Sequence, residues 1–152
     1  MASRSRRVLV VNGPNLNLLG QRQPEIYGRE TLADLESRLS ARALELGCEV
    51  ELRQSNSEGE IVSWLQEAPS LFQAVVLNAG ALSHYSHAIA DAIVSADVRV
   101  VEVHISNIHA REDFRHHSVI SPVAAGVLVG FGTFGYELAL EAAIRAPAPE
   151  GA

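Results

Sequence analysis

The stretch VLVVNGPNLNLLGQRQPEIY, residues 8–27, joins an apolar run to a polar turn and a long loop. The continuous apolar run at 8–11 predicts a strand that is covered on both faces. It ends at Asn12-Gly-Pro-Asn15, whose residue types favour a turn. Because Gly20 and Pro24 disfavour a helix in the next stretch, we expect a long loop, and its apolar side chains favour an ordered but mobile lid over disorder.

The composition is that of one globular domain. The chain has 152 residues, of which 47% are hydrophobic and 20% are charged, so it can bury one core. We expect a single domain over 1–152, with flexible tails at 1–6 and 147–152. The formal net charge of -6 disfavours nucleic-acid binding. The only basic cluster, Arg4, Arg6 and Arg7, is interpreted as part of a solvated tail.

The sequence also favours a cytoplasmic location. No apolar run has the length of a membrane span, and the run behind the basic cluster ends too soon for a signal peptide. The single cysteine, Cys48, cannot form an internal disulfide and is predicted to be a small buried hydrophobic residue. We therefore expect neither a membrane nor a nucleic-acid partner.

Strand and helix patterns alternate along the rest of the chain. The capping-box pattern Thr31-Leu-Ala-Asp34 opens a helix that Gly47 ends. Further helices are predicted at 57–69, where Pro69 is expected to end the helix, at 89–96 and at 136–144. Strands are predicted at 48–53, 74–77, 98–103 and 127–129. This alternation predicts an α/β domain with a parallel sheet, and five strands suit the flavodoxin-like order 2-1-3-4-5.

This strand order brings three polar turns to one edge of the sheet. The turns follow strands one, three and four, and they cover residues 12–27, 78–84 and 104–115. Ligands of open α/β sheets bind in the crevice outside the carboxyl ends of such strands. We therefore expect the functional site at this edge.

A glycine motif near the end of the chain raises the alternative of a nucleotide-binding module. GFGTFG at 130–135 matches G-x-G-x-x-G after a strand and before a helix. The dinucleotide fingerprint belongs to the first βαβ unit and needs an acidic residue about 20 positions further on. The glycines are therefore interpreted as packing between the last strand and helix. A module that binds phosphate would carry its glycines after strand one, where this chain has Asn-Gly-Pro-Asn.

The histidines raise the alternative of a metal-dependent hydrolase. None of their spacings matches a pattern such as H-E-x-x-H, which places two ligands on one helix face. This alternative stays open but is not favoured. The six histidines are His84, His87, His104, His109, His116 and His117.

Two pairs of residues predict acid–base chemistry. Glu102 and His104 are two positions apart on a predicted strand, so their side chains point to the same side and the carboxylate favours a protonated imidazole. Such a histidine can act as a general acid, although a structural ion pair explains this segment equally well. In the lid, the guanidinium of Arg22 favours the phenolate form of Tyr27, which can act as a base. Together, a base in the lid and an acid on the strand can remove a proton beside a carbonyl and expel a hydroxyl.

The chain resembles type II 3-dehydroquinate dehydratase, an enzyme of the shikimate pathway. The likeness extends from about residue 8 to residue 144, in the same order and with the same gaps. Its motifs are NGPNL at 12–16, Arg22 with Tyr27-Gly28, QSNSE at 54–58, LNAG at 77–80 with Ser83-His84, EVHISN at 102–107, REDFR at 111–115 and the closing 130–136.

The resemblance implies anti elimination of water from 3-dehydroquinate through an enolate, with no metal and no cofactor. Tyr27 would take the proton from the carbon beside the ketone, and Arg22 would keep Tyr27 ionised. Asn15 would help to hold the enolate oxygen. His104 would protonate the departing hydroxyl, and Glu102 would position His104.

The resemblance also implies a binding set and an assembly. Asp91 would reach the site of a neighbouring subunit in a dodecamer built from trimers, and Arg111 would support the site less directly. Tyr85 departs from the family pattern beside His84. The side chains and backbone groups expected to bind the substrate's carboxylate and hydroxyls belong to Asn78, His84, Ile105, Ser106 and Arg115.

Overall fold

The computed structural model describes residues 7–21 and 23–145, and it describes only the backbone of residues 26 and 27. The expectations for the tails and for Arg22 therefore fall outside the described residues. Strands and helices alternate over these ranges: β1 Arg7–Asn12, α1 Pro24–Tyr27, α2 Leu32–Leu46, β2 Glu49–Gln54, α3 Glu58–Leu71, β3 Ala74–Asn78, α4 His87–Ala96, β4 Val100–His104, β5 Gly126–Val129 and α5 Phe134–Ile144.

The strands form one parallel sheet in the order β2-β1-β3-β4-β5, which confirms the predicted topology. Its register pairs Asn12 of β1 with Asn78 of β3. Glu102 of β4 pairs with Leu77 of β3, the residue before Asn78. His104, two residues after Glu102, therefore lies at the same edge of the sheet as Asn78. The polar ends of β1, β3 and β4 are therefore neighbours.

The central strand is covered on both faces, as its apolar run predicts. Val8 and Val10 belong to the core layer under α2 and α5, whereas Leu9 and Val11 belong to the layer under α3 and α4. All four side chains are fully buried, because neighbouring positions on a strand point to opposite faces. Truncating a large side chain in such a core costs about 2–5 kcal/mol of stability.

Helix α2 begins at the predicted capping box. The Thr31 hydroxyl accepts a hydrogen bond from the backbone N–H of Asp34, and the Asp34 carboxylate accepts one from the backbone N–H of Thr31. The helix ends at Gly47, whose φ of 73° suits glycine. Both predicted ends of this helix are confirmed.

Two predictions from proline were wrong. Helix α3 continues past Pro69 to Leu71, because a proline in the last turn removes only its own N–H and the backbone N–H of Phe72 still bonds to the Ala68 carbonyl at 2.8 Å. In the loop, Pro24 opens the single turn of α1 instead of preventing a helix. Proline suits the first helical position, where its missing N–H has no intrahelical partner.

Other boundaries differ by a few residues from those predicted. Strand β4 begins at Val100 and includes His104, β2 begins after the buried Cys48, and α5 begins at Phe134. Strand ends depend on pairing with neighbouring strands, which side-chain pattern alone does not define. Within the described residues, none of the helices is both long enough and apolar enough to span a bilayer.

Candidate active site

A cleft opens where β1, β3 and β4 end, at the edge expected from the strand order. Among the residues that line it are seven predicted site residues: Asn15, Asn78, His84, His104, Ile105, Ser106 and Arg115. Glu102 lies behind His104. Asp91 is exposed on α4 and does not line this cleft. The side chain of Tyr27 and all of Arg22 lie outside the described residues, so their roles stay predictions.

Two glycine-containing turns form one side of the cleft by close backbone contact. The backbone N–H of Gly13 donates to the Asn78 carbonyl at 2.8 Å, and a Cβ at Gly13 would lie 2.5 Å from the carbonyl oxygen of Ala79. Gly80 has a φ of 61° and packs against the backbone of Pro14. Both turns require glycine for this contact, which explains the motifs that follow β1 and β3.

The predicted contact between Glu102 and His104 is present on the wall of the cleft. The Glu102 Oε2 and His104 Nε2 atoms are 2.5 Å apart, and both side chains are buried. Ser118 Oγ donates to the same carboxylate oxygen at 2.7 Å, and Ser121 Oγ donates to Oε1 at 2.6 Å. Glu102 is thus held by three groups, and it fixes the His104 ring while the rest of that ring faces the cleft.

The charge of Glu102 is maintained by these donors. Burial raises the pKa of its carboxyl group, but the hydrogen bonds from His104, Ser121 and Ser118 outweigh burial and place the pKa below its usual value. A buried carboxylate without such partners would take up a proton instead. Glu102 therefore remains an anion next to His104 at neutral pH.

Asn78 belongs to a buried hydrogen-bond chain that begins at the cleft. Its Nδ2 donates to the hydroxyl of Tyr136 at 2.8 Å, and that hydroxyl donates to Asn12 Oδ1 at 2.6 Å. Asn78 Oδ1 accepts from the backbone N–H of Gly80 at 3.1 Å. One N–H of the Asn78 amide is left over from these bonds for the cleft that Asn78 lines.

His84 lies next to His104 and is held as a neutral ring. The two rings stack with centroids 6.3 Å apart. Burial lowers the pKa of His84 and outweighs the hydrogen bond to the His117 carbonyl, which raises it; the guanidinium of Arg115 lowers it as well. His84 Nδ1 is 2.9 Å from the carbonyl of His117, which only accepts, so Nδ1 carries the proton. The other ring nitrogen is then an acceptor for a ligand hydroxyl.

Two guanidinium groups make part of the cleft lining cationic. Arg111 donates to Ser106 Oγ at 3.2 Å, and Arg115 Nε donates to Glu112 Oε2 at 2.8 Å. The hydrogen bond from Arg115 lowers the pKa of Glu112, which remains charged and orients the guanidinium. Both arginines line the cleft, so it suits an anionic ligand.

The floor and rim combine a polar turn with apolar side chains. Asn15 has a φ of 71°, and its backbone N–H donates to Asn56 Oδ1 at 3.0 Å. Asparagine tolerates this left-handed conformation better than most residues. Leucine and isoleucine side chains complete the lining: Leu16, Leu18, Leu19 and Ile108.

Several residues that build the site were not identified from the sequence. Ser118 and Ser121 follow a segment without regular spacing, and no pattern connects either of them with Glu102. Asn12 and Tyr136 stand within motifs noted for the resemblance, but their contact with Asn78 depends on the folded sheet. A polar residue in the otherwise apolar buried face of α5 is the signal that would have identified Tyr136.

The late glycine motif packs against β4 and the segment that follows it, rather than between the last strand and the last helix as predicted. A Cβ at Gly135 would lie 3.2 Å from the Val103 side chain of β4, and one at Gly130 would lie 3.2 Å from Asn107. The backbone N–H of Gly132 donates to the Ile105 carbonyl at 3.0 Å. Among the residues with described side chains, no three or more histidine, cysteine or acidic groups are arranged to hold a metal ion.

Comparisons with known proteins agree on one family. The model of the family "Dehydroquinase class II" matches residues 6–144. A 3-dehydroquinate dehydratase of Halalkalibacterium halodurans is 56% identical over 138 residues, which cover 91% of this chain and 95% of the relative. The crystal structure of a type II dehydroquinase from Propionibacterium acnes matches with a TM-score of 0.87 and 49% identity. The match covers 94% of this chain and 99% of that chain.

A second solved structure gives the same result. The type II dehydroquinase of Butyrivibrio crossotus is 44% identical and has a TM-score of 0.89, with 91% of this chain and 97% of that chain covered. The family match extends through the elements that form the cleft, from β1 to α5. The chain therefore belongs to the class II dehydroquinase family.

Proposed function

We propose that this protein is a 3-dehydroquinate dehydratase that acts without metal or cofactor. The reaction is anti elimination of water from 3-dehydroquinate through an enolate, and it yields 3-dehydroshikimate. The observation that carries the proposal is the family match over residues 6–144, which includes the cleft and the Glu102–His104 pair. Relatives that are more than half identical carry the same activity in their names.

The proposed chemistry needs a base and an acid on opposite sides of one ring. Tyr27, ionised by Arg22, takes the proton from the carbon beside the ketone, and the electron pair moves to the carbonyl oxygen. Asn15 helps to hold the resulting enolate. The enolate then expels the hydroxyl, which leaves as water with a proton from His104. Preorganised donors at the developing negative charge lower the barrier.

The remaining polar groups suit the rest of the substrate. The free N–H of Asn78 and the backbone at Ile105 and Ser106 donate to oxygen atoms of its carboxylate. The cationic part of the lining at Arg115 complements this anion despite the chain's net charge of -6, because nearby donors dominate over distant charges. His84 accepts from a ring hydroxyl, in keeping with its neutral state.

We further propose a cytoplasmic homododecamer built from trimers, in which Asp91 reaches a neighbouring site. Two features support this assembly. Asp91 is exposed and outside the lining of its own cleft. Apolar side chains at and after the edge strand β5 are also exposed, namely Val127, Phe131 and Phe134. Sedimentation equilibrium tests the proposal directly, because it gives the mass of the assembly as a multiple of the 16.3 kDa chain mass.

The activity is tested by adding 3-dehydroquinate in the presence of EDTA and following the absorbance of the enone product. We expect turnover that EDTA does not reduce. In the Tyr27→Phe variant, kcat should fall by about 10²–10⁴-fold, which is the usual contribution of a positioned acid or base. An unchanged melting temperature would exclude misfolding as the cause. Normal turnover by Tyr27→Phe would refute the assignment of the base.

A further inference from the structure

We propose that Tyr136 is a positioning residue for Asn78, and that its hydroxyl, anchored by Asn12, orients the Asn78 amide toward the substrate. This inference rests on the proposed function, since it concerns how the same cleft binds its ligand. Tyr136 lies on α5 and is fully buried, so it acts only through Asn78.

The direction of each hydrogen bond follows from the chemistry of the groups. Asn12 Oδ1 is a carbonyl oxygen and only accepts, so the Tyr136 hydroxyl must donate to it across 2.6 Å. The hydroxyl oxygen is then available to accept from Asn78 Nδ2 at 2.8 Å. Burial raises the pKa of Tyr136, so the phenol keeps its proton and remains a donor. The chain of donors therefore runs from Asn78 to Asn12.

These bonds fix both ends of the Asn78 amide. The backbone N–H of Gly80 identifies the oxygen end, and the Tyr136 hydroxyl identifies the nitrogen end. Rotation of the amide by half a turn would place two donors against each other at Gly80, so the opposite orientation is disfavoured. Asn78 therefore presents an N–H donor, which selects a ligand oxygen that accepts.

The network is better explained by positioning than by stability. Asn12 is fully buried, and its Nδ2 has no hydrogen-bond partner among the described residues. An unsatisfied buried donor destabilises a protein, and apolar residues of the same shape would avoid that penalty. The polar atoms that do pair lead from Asn12 through Tyr136 to the cleft.

The first experiment measures kcat and KM for wild type and Tyr136→Phe. We expect KM for 3-dehydroquinate to rise about tenfold, equivalent to about 1.4 kcal/mol, with kcat changed less than about threefold. An unchanged KM, or a fall in kcat alone, would refute the role. Ala143→Gly is the control, because Ala143 is buried two turns further along α5. Removing its methyl group is expected to lower stability without altering KM.

A double-mutant cycle separates positioning from general destabilisation. In the Asn78→Ala background, Tyr136→Phe should leave KM unchanged, because the group that Tyr136 orients is already missing. The same KM increase in both backgrounds would refute the proposal.

If Tyr136→Phe does not fold, Asn12→Leu tests the other end of the hydrogen-bond chain with the same two outcomes. If wild type binds 3-dehydroquinate without turnover, the proposed function fails, and Kd values from calorimetry replace KM in the cycle.

Discussion

At the scale of single residues, the charge of Glu102 depends on hydroxyl groups that come from another part of the chain. Ser121 Oγ donates to Glu102 Oε1, while Ser118 Oγ shares the other oxygen with His104. Removing one donor from a buried carboxylate raises its pKa, because burial then weighs more against the charged form. The serines are therefore expected to set the pH range over which His104 has an anionic partner.

We predict that Ser121→Ala moves the acidic limb of the kcat/KM profile to higher pH by up to about one unit. The same loss should lower the free energy of unfolding by about 1.5–3 kcal/mol, since the bond is made to a charged group. A pH–rate profile and a urea titration measure the two effects. Ser63→Ala is the control, because the exposed Ser63 hydroxyl bonds only locally, to the Gly59 carbonyl on α3. Equal profiles for Ser121→Ala and wild type would contradict the prediction.

What could be predicted at this scale depended on local geometry. The alternation of a strand placed Glu102 and His104 on the same side, and the structure confirms their contact. The serines were missed because a segment of irregular turns connects them to β4 and no periodicity relates them to it. Tyr136 was missed as a contact because 58 residues separate it from Asn78. Such long-range polar pairs form only after the sheet has assembled.

At the scale of elements, two parts of the connection between β1 and α2 meet at a neck, which Gly20 and residues 29–30 form. A Cβ at Gly20 would lie 2.7 Å from the carbonyl oxygen of Arg29, so the backbones touch there. Glu30 Oε2 accepts from Arg38 of α2 at 2.7 Å and from Thr133, next to α5, at 2.8 Å. These contacts fix the start and end of the segment that carries positions 22 and 27.

We predict that Glu30→Gln lowers kcat by at least about threefold, because small displacements of reacting groups have large effects on rate. Stability should change by less than about 1 kcal/mol, as expected for a partly exposed ion pair. Kinetic and melting measurements on the same sample test both effects. Glu141→Gln is the matched control, since Glu141 also joins α2 to α5 through Arg42 but lies away from the neck. Equal changes in kcat for the two variants would contradict the prediction.

Element types were predicted better than element ends. Helix α2 has a capping box, a regular apolar face and a terminal glycine, and all three signals agreed. At α1 and α3 the effect of proline was misjudged, because its effect depends on where it stands in a helix. Strand β4 begins later than its apolar run, since pairing with β3 begins only at Val100.

At the scale of the whole molecule, the alternation of strands and helices restricts the order of the strands in the sheet. A strand, a helix and a parallel strand connect with one handedness, and few arrangements of five strands remain. The position of the cleft then follows from the same order. The orientation of side chains within the cleft does not follow, because it depends on contacts between distant segments, such as those of Ser118 with Glu102 and of His84 with the carbonyl of His117.

The stability of the whole molecule is expected to fall in acid, because folding lowers the pKa of several groups. Hydrogen bonds from Thr31, Arg115 and Arg145 lower the carboxyl pKa of Asp34, Glu112 and Glu141, in that order. For Glu102, donors outweigh the effect of burial. Burial lowers the pKa of His84 as well. In each case the unfolded chain binds the proton more readily.

A group whose pKa is lower in the folded state than in the unfolded state stabilises the fold. This stabilisation is complete at pH values above the pKa of the unfolded state, and it is lost as the pH falls through the pKa of the folded state. We therefore predict that the free energy of unfolding declines slightly below pH 6.5 because of His84, and more steeply below pH 4.5 because of the glutamates. Urea titrations from pH 7 to about pH 3 measure the curve. Glu102→Gln should flatten its steep part, whereas Glu141→Gln should have less effect, because water screens that more exposed group. If the two variants flatten the curve equally, or if stability rises on acidification, the buried Glu102 carboxylate does not dominate the acid response of this fold.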